Sequence, residues 1–355
     1  MRKIALTLLP GDGIGIEVTS ECRRILDKIT EIHGGLEFEQ RELEWGCGYY
    51  LRHGRMMPDD GLKILSDCDV ILLGAVGFPN VPDHISLQSL LLPIRQGFDQ
   101  YINYRPIRLL DGLDSPLKVK SSRDIDFVVI RENSEGEYCG KGAFINVGTP
   151  EEKAVQESHF SLKGVKRVIR YAFEYAEKHG RKNLVSATKS NALNYSMVFW
   201  DRVFEEVRAG YLDICSRSMH VDALAGLMIM RPAELDVVVA SNLFGDILTD
   251  LGSAMLGSIG ISPSANINPE KRFPSMFEPI HGSAPDIAGK GIANPVGMIW
   301  SIVLMLEHLD LPEMAGLLMG ALEAVLALRE FRTPDMGGMS TTGQVVDEVC
   351  RKLNG

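Results

Sequence analysis

Short apolar runs alternate with longer amphipathic segments over most of the chain. The apolar runs predict buried β-strands over residues 3–9, 70–76, 126–133, 183–188 and 235–242. The amphipathic segments predict helices over residues 16–34, 161–180 and 197–210, with further helices from about residue 295 onward. Because strands that alternate with helices are typical of an α/β protein, we expect a mostly parallel sheet at the core.

The segment over residues 161–180 shows the helical pattern most clearly. Apolar side chains recur at helical spacing at Val165, Val168, Ile169, Ala172 and Tyr175. They would form one stripe along a helix, and Gly180 follows as a typical helix end.

Proline and glycine mark possible boundaries within the chain. They are concentrated near residues 77–83, 106–116 and 262–295. Breaks near residues 100 and 255 would leave residues 101–255 as one domain. Residues 1–100 and 256–355 would then form a second domain together.

Composition and charge exclude several classes of protein. The chain has 355 residues and a net charge of −10, which argues against nonspecific binding to nucleic acid. The run "GMIWSIVLML" (297–306) is about half the length of a membrane span. The N-terminal apolar stretch stops at Pro10, too early for a signal peptide. Six scattered cysteines without a C-x-x-C motif fit reduced thiols, so we expect a cytoplasmic protein without membrane or nucleic-acid partners.

A glycine-rich turn, "PGDGIG" (10–15), follows the first predicted strand and precedes a predicted helix. Such turns can hold a pyrophosphate on backbone amides at a helix N-terminus. The dinucleotide fingerprint, however, is G-x-G-x-x-G, and Ile16 stands where its third glycine would be. The turn alone therefore does not establish a nucleotide site.

Two aspartates in "NLFGDILTDLG" (242–252) are candidates for metal binding. Asp246 and Asp250 are four residues apart, which places both carboxylates on one face of a helix. Carboxylate oxygens suit Mg²⁺ or Mn²⁺, and a cation between them would relieve their repulsion. The alternative is a solvated acidic face, although apolar Ile247, Leu248 and Leu251 surround the pair.

Three arginines and one lysine are candidates for substrate chemistry. Arg131 ends an apolar strand, Arg95 and Arg105 precede it, and arginine binds carboxylates bidentately. Lys189 follows the predicted strand over residues 183–188 and could act as a base if shielded from water. The alternatives are surface salt bridges and a solvated lysine. The glycine- and proline-rich segment over residues 278–295 has the composition of a ligand-binding loop.

Taken in order, these segments resemble a known family, the β-decarboxylating dehydrogenases of 2-hydroxy acids. It includes the isocitrate and isopropylmalate dehydrogenases. The matching motifs are "PGDGIG", "REN…GEY", "TKSN", "NLFGDILTD" and "EPIHGSAPDIAGKGIANP", and the resemblance runs from about residue 3 to residue 345. It implies a two-domain α/β fold that is not a Rossmann dinucleotide fold. Residues 1–100 with 256–355 would bind the cofactor, and residues 101–255 would carry metal and substrate residues and a dimer interface.

The resemblance also implies a cofactor and where it binds. NAD would lie against the loop over residues 281–294, with the glycine turn lining the same cleft. The cofactor-binding residues would be His281, Gly282, Ser283, Ala284, Asp286, Ile287 and Asn294. Asp286 would accept hydrogen bonds from a ribose diol and repel a 2′-phosphate. The family's NADP enzymes carry Lys and Tyr at the positions of Asp286 and Ile287.

By the same resemblance, Arg95, Arg105 and Arg131, with Asp222, would bind the substrate. Asp222, Asp246 and Asp250 would hold Mg²⁺ or Mn²⁺. Lys189 would relay the hydroxyl proton, and Tyr138 would protonate the carbon that loses CO₂. In the family, the residues at the positions of Lys189 and Asp222 reach the active site from the partner subunit. The resemblance therefore implies a homodimer with shared active sites.

The segments "HGRMMPDD", "GAVGFPNVPDHISL" and "PSANINPEKRFPSMFEP" resemble the branch of the family that acts on D-malate and tartrate. The implied reaction is oxidation and decarboxylation of D-malate to pyruvate and CO₂, oxidation of tartrate, or both. Leu91 disfavours isocitrate, whereas Leu91 and Leu92 keep isopropylmalate as the alternative. Gln88 stands where D-malate and tartrate enzymes often carry Trp, so the preference within this group stays open.

Two other classes of protein compete with this reading. A metal-dependent phosphoryl-transfer enzyme would also use paired aspartates, but the chain has no G-K-[ST] phosphate loop. A catalytically inactive regulatory subunit is disfavoured, because every expected catalytic position is filled.

Overall fold

The computed structural model describes residues 1–119 and 121–354. Its strands are β1 Arg2–Gly11, β2 Leu36–Glu42, β3 Val70–Ala75, β4 Ile102–Arg108, β5 Asp126–Glu132, β6 Gly142–Ile145, β7 Lys153–Gln156, β8 Asn183–Thr188, β9 Cys215–His220, β10 Val237–Ala240, β11 Pro263–Ile267 and β12 Ser275–Pro279. Its α-helices are α1 Ile14–His33, α2 Cys47–His53, α3 Gly61–Leu65, α4 Asp83–Ser86, α5 Leu92–Gly97, α6 Leu162–Lys178, α7 Ser196–Arg208, α8 Val221–Met230, α9 Asn242–Met255, α10 Val296–His308, α11 Pro312–Leu326 and α12 Thr342–Lys352. A π-helical turn, Leu87–Leu91, joins α4 to α5.

Ten of these strands form one sheet, in the order β2-β1-β3-β12-β11-β4-β5-β10-β8-β9. Pairing is parallel on both sides of the sheet and antiparallel in the centre, where β11 pairs with β12 and β4, and β4 with β5. The predicted α/β fold with a mostly parallel sheet is thus confirmed. Strands from residues 1–100 and 256–355 occupy one half of the sheet, and those from residues 101–255 the other.

The segments with the clearest apolar patterns form the strands and the helix that were predicted for them. All residues of β3 and β10 are buried, as expected for strands covered on both faces. Helix α6 begins where the Ser161 side chain accepts a hydrogen bond from the Gly164 amide, and it buries Val165, Val168 and Ile169. The predicted strand over residues 235–242 is shorter than expected, because Leu235 ends a preceding 3₁₀ turn and α9 begins at Asn242.

A separate two-stranded ribbon, β6 and β7, stands apart from the sheet. Every residue in both strands is exposed, including Phe144, which is 75% exposed.

No helix within residues 1–119 and 121–354 is long and apolar enough to cross a bilayer.

Candidate active site

The three predicted substrate arginines line one pocket. Arg131 is at the end of β5, Arg105 is in β4 and Arg95 is in α5, and all three are buried. The pocket has a volume of about 220 Å³, and Tyr138 and Asp246 also line it. The adjacent strands β4 and β5 bring Arg105 and Arg131 close together, and helices α5 and α9 add Arg95 and Asp246 to the same pocket.

Asp246 is the carboxylate on which this pocket is centred. Its Oδ1 pairs with Arg131 and lies 3.4 Å from Nη1 of Arg105, while its Oδ2 accepts a 2.7 Å hydrogen bond from the Tyr138 hydroxyl. Helix α9 can approach Arg131 this closely because residue 245 is glycine. A Cβ at Gly245 would lie 2.5 Å from Cγ of Arg131.

The electrostatics of the pocket follow from this arrangement. Burial opposes ionisation of Asp246, but the charges of Arg131 and Arg105 outweigh it and lower the pKa of Asp246 to about 2. Burial and the neighbouring Asp246 charge raise the pKa of Tyr138 to about 12. At neutral pH the pocket therefore holds an ionised Asp246 and a protonated Tyr138.

The second predicted metal ligand, Asp250, follows one helical turn after Asp246. Partial burial, and then repulsion by the charge of Asp246, raise the pKa of Asp250. This is the like-charge pair that the four-residue spacing predicted. A divalent cation bound between the two carboxylates would offset that repulsion, so the donor set fits a hard cation.

Lys189 and Asp222 lie outside this pocket. Their side chains pair with each other at 2.6 Å, and this bond lowers the pKa of Asp222. Within residues 1–119 and 121–354, no cluster of three or more His, Cys, Asp or Glu side chains could hold a metal ion. One chain therefore brings together only part of the predicted catalytic set.

The glycine turn is filled by the chain's own groups. The Asp12 carboxylate accepts hydrogen bonds from the amides of Cys47, Gly48 and Gly77, and the Ile14 amide donates to the Ser283 carbonyl. Gly13 has φ +57°, and a Cβ there would lie 2.1 Å from the Ser283 oxygen. The turn thus packs against the loop over residues 281–294. Its Ile14 amide donates to a carbonyl of that loop, and its Asp12 carboxylate accepts from amides elsewhere in the chain.

Three of the predicted cofactor residues, His281, Gly282 and Ser283, line a groove or the arginine pocket beside it. A pocket lined by Gly282, Ser283 and Pro285 on one side and by residues 76–79 on the other shares Val76 and Gly282 with the arginine pocket. His281 lines the arginine pocket, and burial lowers its pKa. Ala284 has φ +38°, Asp286 is exposed and Ile287 is partly buried.

The side chain of Asn294, another predicted cofactor residue, is hydrogen-bonded within the protein. Its amide nitrogen donates to Asp335 at 2.8 Å, and its oxygen accepts from the Val296 amide at the start of α10. The side chain therefore has a structural role in the loop and is already engaged at both polar ends.

A family model described as isocitrate/isopropylmalate dehydrogenase matches residues 5–349. The chain belongs to this family. A probable tartrate dehydrogenase/decarboxylase from Bacillus subtilis (strain 168) is 50% identical over 354 residues, with 99% of each chain covered. The D-malate dehydrogenase [decarboxylating] of Escherichia coli (strain K12) is 50% identical over 359 residues, again with 99% of each covered. Isocitrate dehydrogenase from Methylococcus capsulatus has the same fold, with a TM-score of 0.89, 32% identity and complete coverage of both chains.

These matches confirm the resemblance to the isocitrate/isopropylmalate dehydrogenase family that the motifs indicated. They also confirm the resemblance to its branch for D-malate and tartrate, because both relatives carry the names of that branch.

Sequence reasoning missed two residues that hold the pocket's arginines, Glu278 and Asn242. Glu278 pairs with Arg95 at 2.9 Å and accepts a 2.7 Å hydrogen bond from Asn266, and it also lines the pocket. Asn242 accepts hydrogen bonds from two nitrogens of Arg131. The signal for Glu278 was an acidic residue ending the apolar run "SMFEP" within a motif already assigned to ligand binding.

Proposed function

We propose that the chain catalyses the NAD-dependent oxidation and decarboxylation of D-malate to pyruvate and CO₂, the oxidation of tartrate, or both, with Mg²⁺ or Mn²⁺. The observation that carries this proposal is the small pocket in which three arginines surround Asp246 and Tyr138. Relatives that are 50% identical over nearly the whole chain are named for these two substrates.

Substrate recognition rests on the arginines. Within the described part of the chain, the Nε atoms of Arg95 and Arg105 are buried and have no hydrogen-bond partner. Each guanidinium therefore has unused donor capacity beside the pocket, which a dicarboxylate could satisfy. A volume of about 220 Å³ favours a small hydroxy acid.

Asp246 and Asp250 would hold the divalent cation, with Asp222 of a second copy as a further ligand. When bound, the cation would polarise the C2 oxygen of the substrate, and NAD would supply the hydride acceptor. Ionised Asp246 is in the charge state that metal binding needs, because the arginines keep its pKa near 2.

Lys189 and Tyr138 would divide the proton transfers. Lys189 would accept the hydroxyl proton of the substrate during oxidation. The Tyr138 phenol keeps its proton at neutral pH, since its pKa is raised to about 12, and it would deliver a proton to the substrate carbon that has lost CO₂.

We further propose a homodimer in which Lys189 and Asp222 complete the partner's pocket. Exposed apolar side chains accompany each of these elements. They are Leu193 and Tyr195 after Lys189, Ile229 and Met230 at the end of the helix that carries Asp222, and Ile247 beside Asp246. An apolar surface of this kind is typical of a subunit interface.

NAD would occupy the groove along the loop over residues 281–294, with its nicotinamide toward the arginine pocket. The sharing of Val76 and Gly282 between groove and pocket supports this placement. Asp286 is exposed and can meet the adenosine ribose, where its charge would exclude NADP.

The domain and compartment predictions belong to the same proposal. The division of the sheet between residues 1–100 with 256–355 and residues 101–255 supports two domains, with the pocket where they meet. All six cysteines are free, which favours the cytoplasm.

A second candidate activity is the oxidation of 3-isopropylmalate. Leu87, Leu91 and Ile280 line the pocket together with the arginines, and these apolar side chains could contact an alkyl group.

A parallel assay separates the candidates. NADH formation with Mn²⁺ is measured for D-malate, L-tartrate, meso-tartrate, 3-isopropylmalate and isocitrate. We expect the highest kcat/KM for D-malate or a tartrate. A higher value for 3-isopropylmalate would establish the alternative, and no NADH with any of them would reject both.

A further inference from the structure

Glu17 connects the first turn of α1 to the loop over residues 281–294. Its Oε2 accepts hydrogen bonds from the amides of Gly289 at 3.0 Å and Gly291 at 3.3 Å, and its Oε1 accepts one from the Ala293 amide at 3.1 Å. Three converging backbone amides form the kind of cradle that binds an anion. In this protein the anion is the chain's own carboxylate, placed at the helix N-terminus where negative charge is favourable.

We propose that Glu17 is a positioning residue. It would favour cofactor binding indirectly, by fixing the loop that binds the cofactor. The inference rests on the proposed NAD site. Asp286 and Ile287 lie between two anchored points, Ser283, held by the Ile14 amide, and Gly289, held by Glu17. Fixing Gly289 therefore fixes the end of the short exposed stretch that would meet the adenosine ribose.

The opposite side of the loop is fixed separately. The Thr342 amide and hydroxyl donate to the carbonyls of Gly291 and Ala293. Loss of Glu17 would therefore leave the C-terminal part of the loop attached and would loosen mainly the stretch from Ala284 to Gly289. The arginines and Asp246 stand on α5, β4, β5 and α9, whereas the amides that Glu17 accepts from belong to Gly289, Gly291 and Ala293.

Glu17→Gln tests the proposal with little change in side-chain volume. Glutamine keeps one acceptor oxygen, but its amide would face a backbone N–H, so at least one charge-assisted hydrogen bond is lost. We expect KM for NAD to rise about tenfold, while kcat and KM for the hydroxy acid change less than about twofold. Glu21→Gln is the matched control, since Glu21 lies one turn further on the same helix and pairs with Arg24.

Hydrogen exchange of the full-length protein without cofactor gives a second readout. Peptides covering residues 284–293 should exchange at least about tenfold faster in Glu17→Gln than in Glu21→Gln. Unchanged exchange and unchanged KM for NAD would overturn the proposal. The proposal would also be overturned if kcat fell and the KM values for NAD and for the hydroxy acid both rose to a similar extent, together with a lower Tm. That result would indicate a purely structural residue. If the wild type does not reduce NAD, the proposed function fails, whereas the exchange result still decides whether Glu17 holds the loop.

Discussion

The ammonium group of Lys189 lies 2.6 Å from Oδ1 of Asp222, and both side chains stand outside the pocket that holds Asp246 and Tyr138. A pair of opposite charges on a partly exposed surface contributes little to stability. Its surroundings of exposed apolar side chains are better explained by a second subunit, and this leads to the first prediction.

Co-expression of two inactive variants should restore activity. A dimer of one Lys189→Met subunit and one Asp246→Asn subunit has one site with both changes and one site with neither. Half the sites of a mixed dimer are intact, so the isolated mixed dimer should show about half of wild-type activity. The measurement is NADH formation by the mixed dimer, isolated through two affinity tags. If the mixed dimer is as inactive as either parent, Lys189 acts within its own chain.

Asp246→Asn should weaken metal binding and turnover together. The substitution preserves the shape of the side chain but removes the negative charge of the Asp246 carboxylate, which the arginines keep ionised. We therefore expect kcat to fall by at least about 10²-fold. Calorimetric titration with Mn²⁺ would measure the loss of affinity. The exposed Asp213→Asn serves as the control for a lost surface charge. Wild-type activity of Asp246→Asn after exhaustive chelation would contradict the proposed site.

Tyr138→Phe and Lys189→Met should block different steps. Without the Tyr138 phenol, NADH should still form in a pre-steady-state burst with D-malate, while steady-state release of pyruvate falls by about 10²–10⁴-fold. Lys189→Met should lose the burst itself, because oxidation needs the hydroxyl proton removed. Rapid-mixing absorbance distinguishes the two. Equal loss of hydride transfer in both variants would mean that Tyr138 instead orients the substrate or Asp246, to which it is hydrogen-bonded.

The cofactor preference should depend on Asp286. Repulsion between this carboxylate and a 2′-phosphate should make kcat/KM for NAD about 10²-fold higher than for NADP. Asp286→Lys combined with Ile287→Tyr should shift the ratio toward NADP, and Asp286→Asn separates the loss of charge from the gain of a new contact. Similar wild-type efficiency with both cofactors would refute the role given to Asp286.

Stability should fall in mild acid partly because of His308. Burial first, and then the nearby Lys271 charge, lower the pKa of His308 from 6.5 to about 4, with Asp310 opposing the shift. Between these values the unfolded chain binds a proton that the folded chain does not, so stability falls as pH drops, by at most about 3 kcal/mol. Urea unfolding at about pH 7 and pH 4.5 should show a smaller acid loss for His308→Gln than for the wild type. An identical pH dependence in both proteins would remove His308 as a cause.

Sequence pattern predicted the strands that are uninterrupted apolar runs and missed strands whose sequence contains proline or polar residues. The uniformly apolar runs that became β3 and β10 could be read directly, because a strand covered on both faces carries little else. Strand β4, "INYRPIR", was missed because Pro106 and two arginines interrupt its apolar pattern. Strands β11 and β12 fell within residues 262–295, which prolines and glycines had marked only as a possible boundary.

The site shows the same division. Individual residues such as Arg131 and Asp246 could be named from motifs, because a charged residue at the end of an apolar strand or within an apolar helix is unusual. Their relationships could not be predicted from local spacing. Tyr138 meets Asp246 across 108 residues of chain, and Arg95 meets Glu278 across 183. Such pairings depend on strand order.

The order of the central strands affects how the protein is made. Ser275 of β12 pairs with Val70 of β3, and Ala265 of β11 pairs with Tyr104 of β4. During synthesis, both β3 and β4 therefore present an unpaired edge until the ribosome has translated β11 and β12, which lie in the final third of the chain. Open, apolar edges of this kind are the surfaces through which nascent chains associate wrongly. The same late insertion that closes the sheet thus sets how long the unfinished polypeptide carries edges open to association.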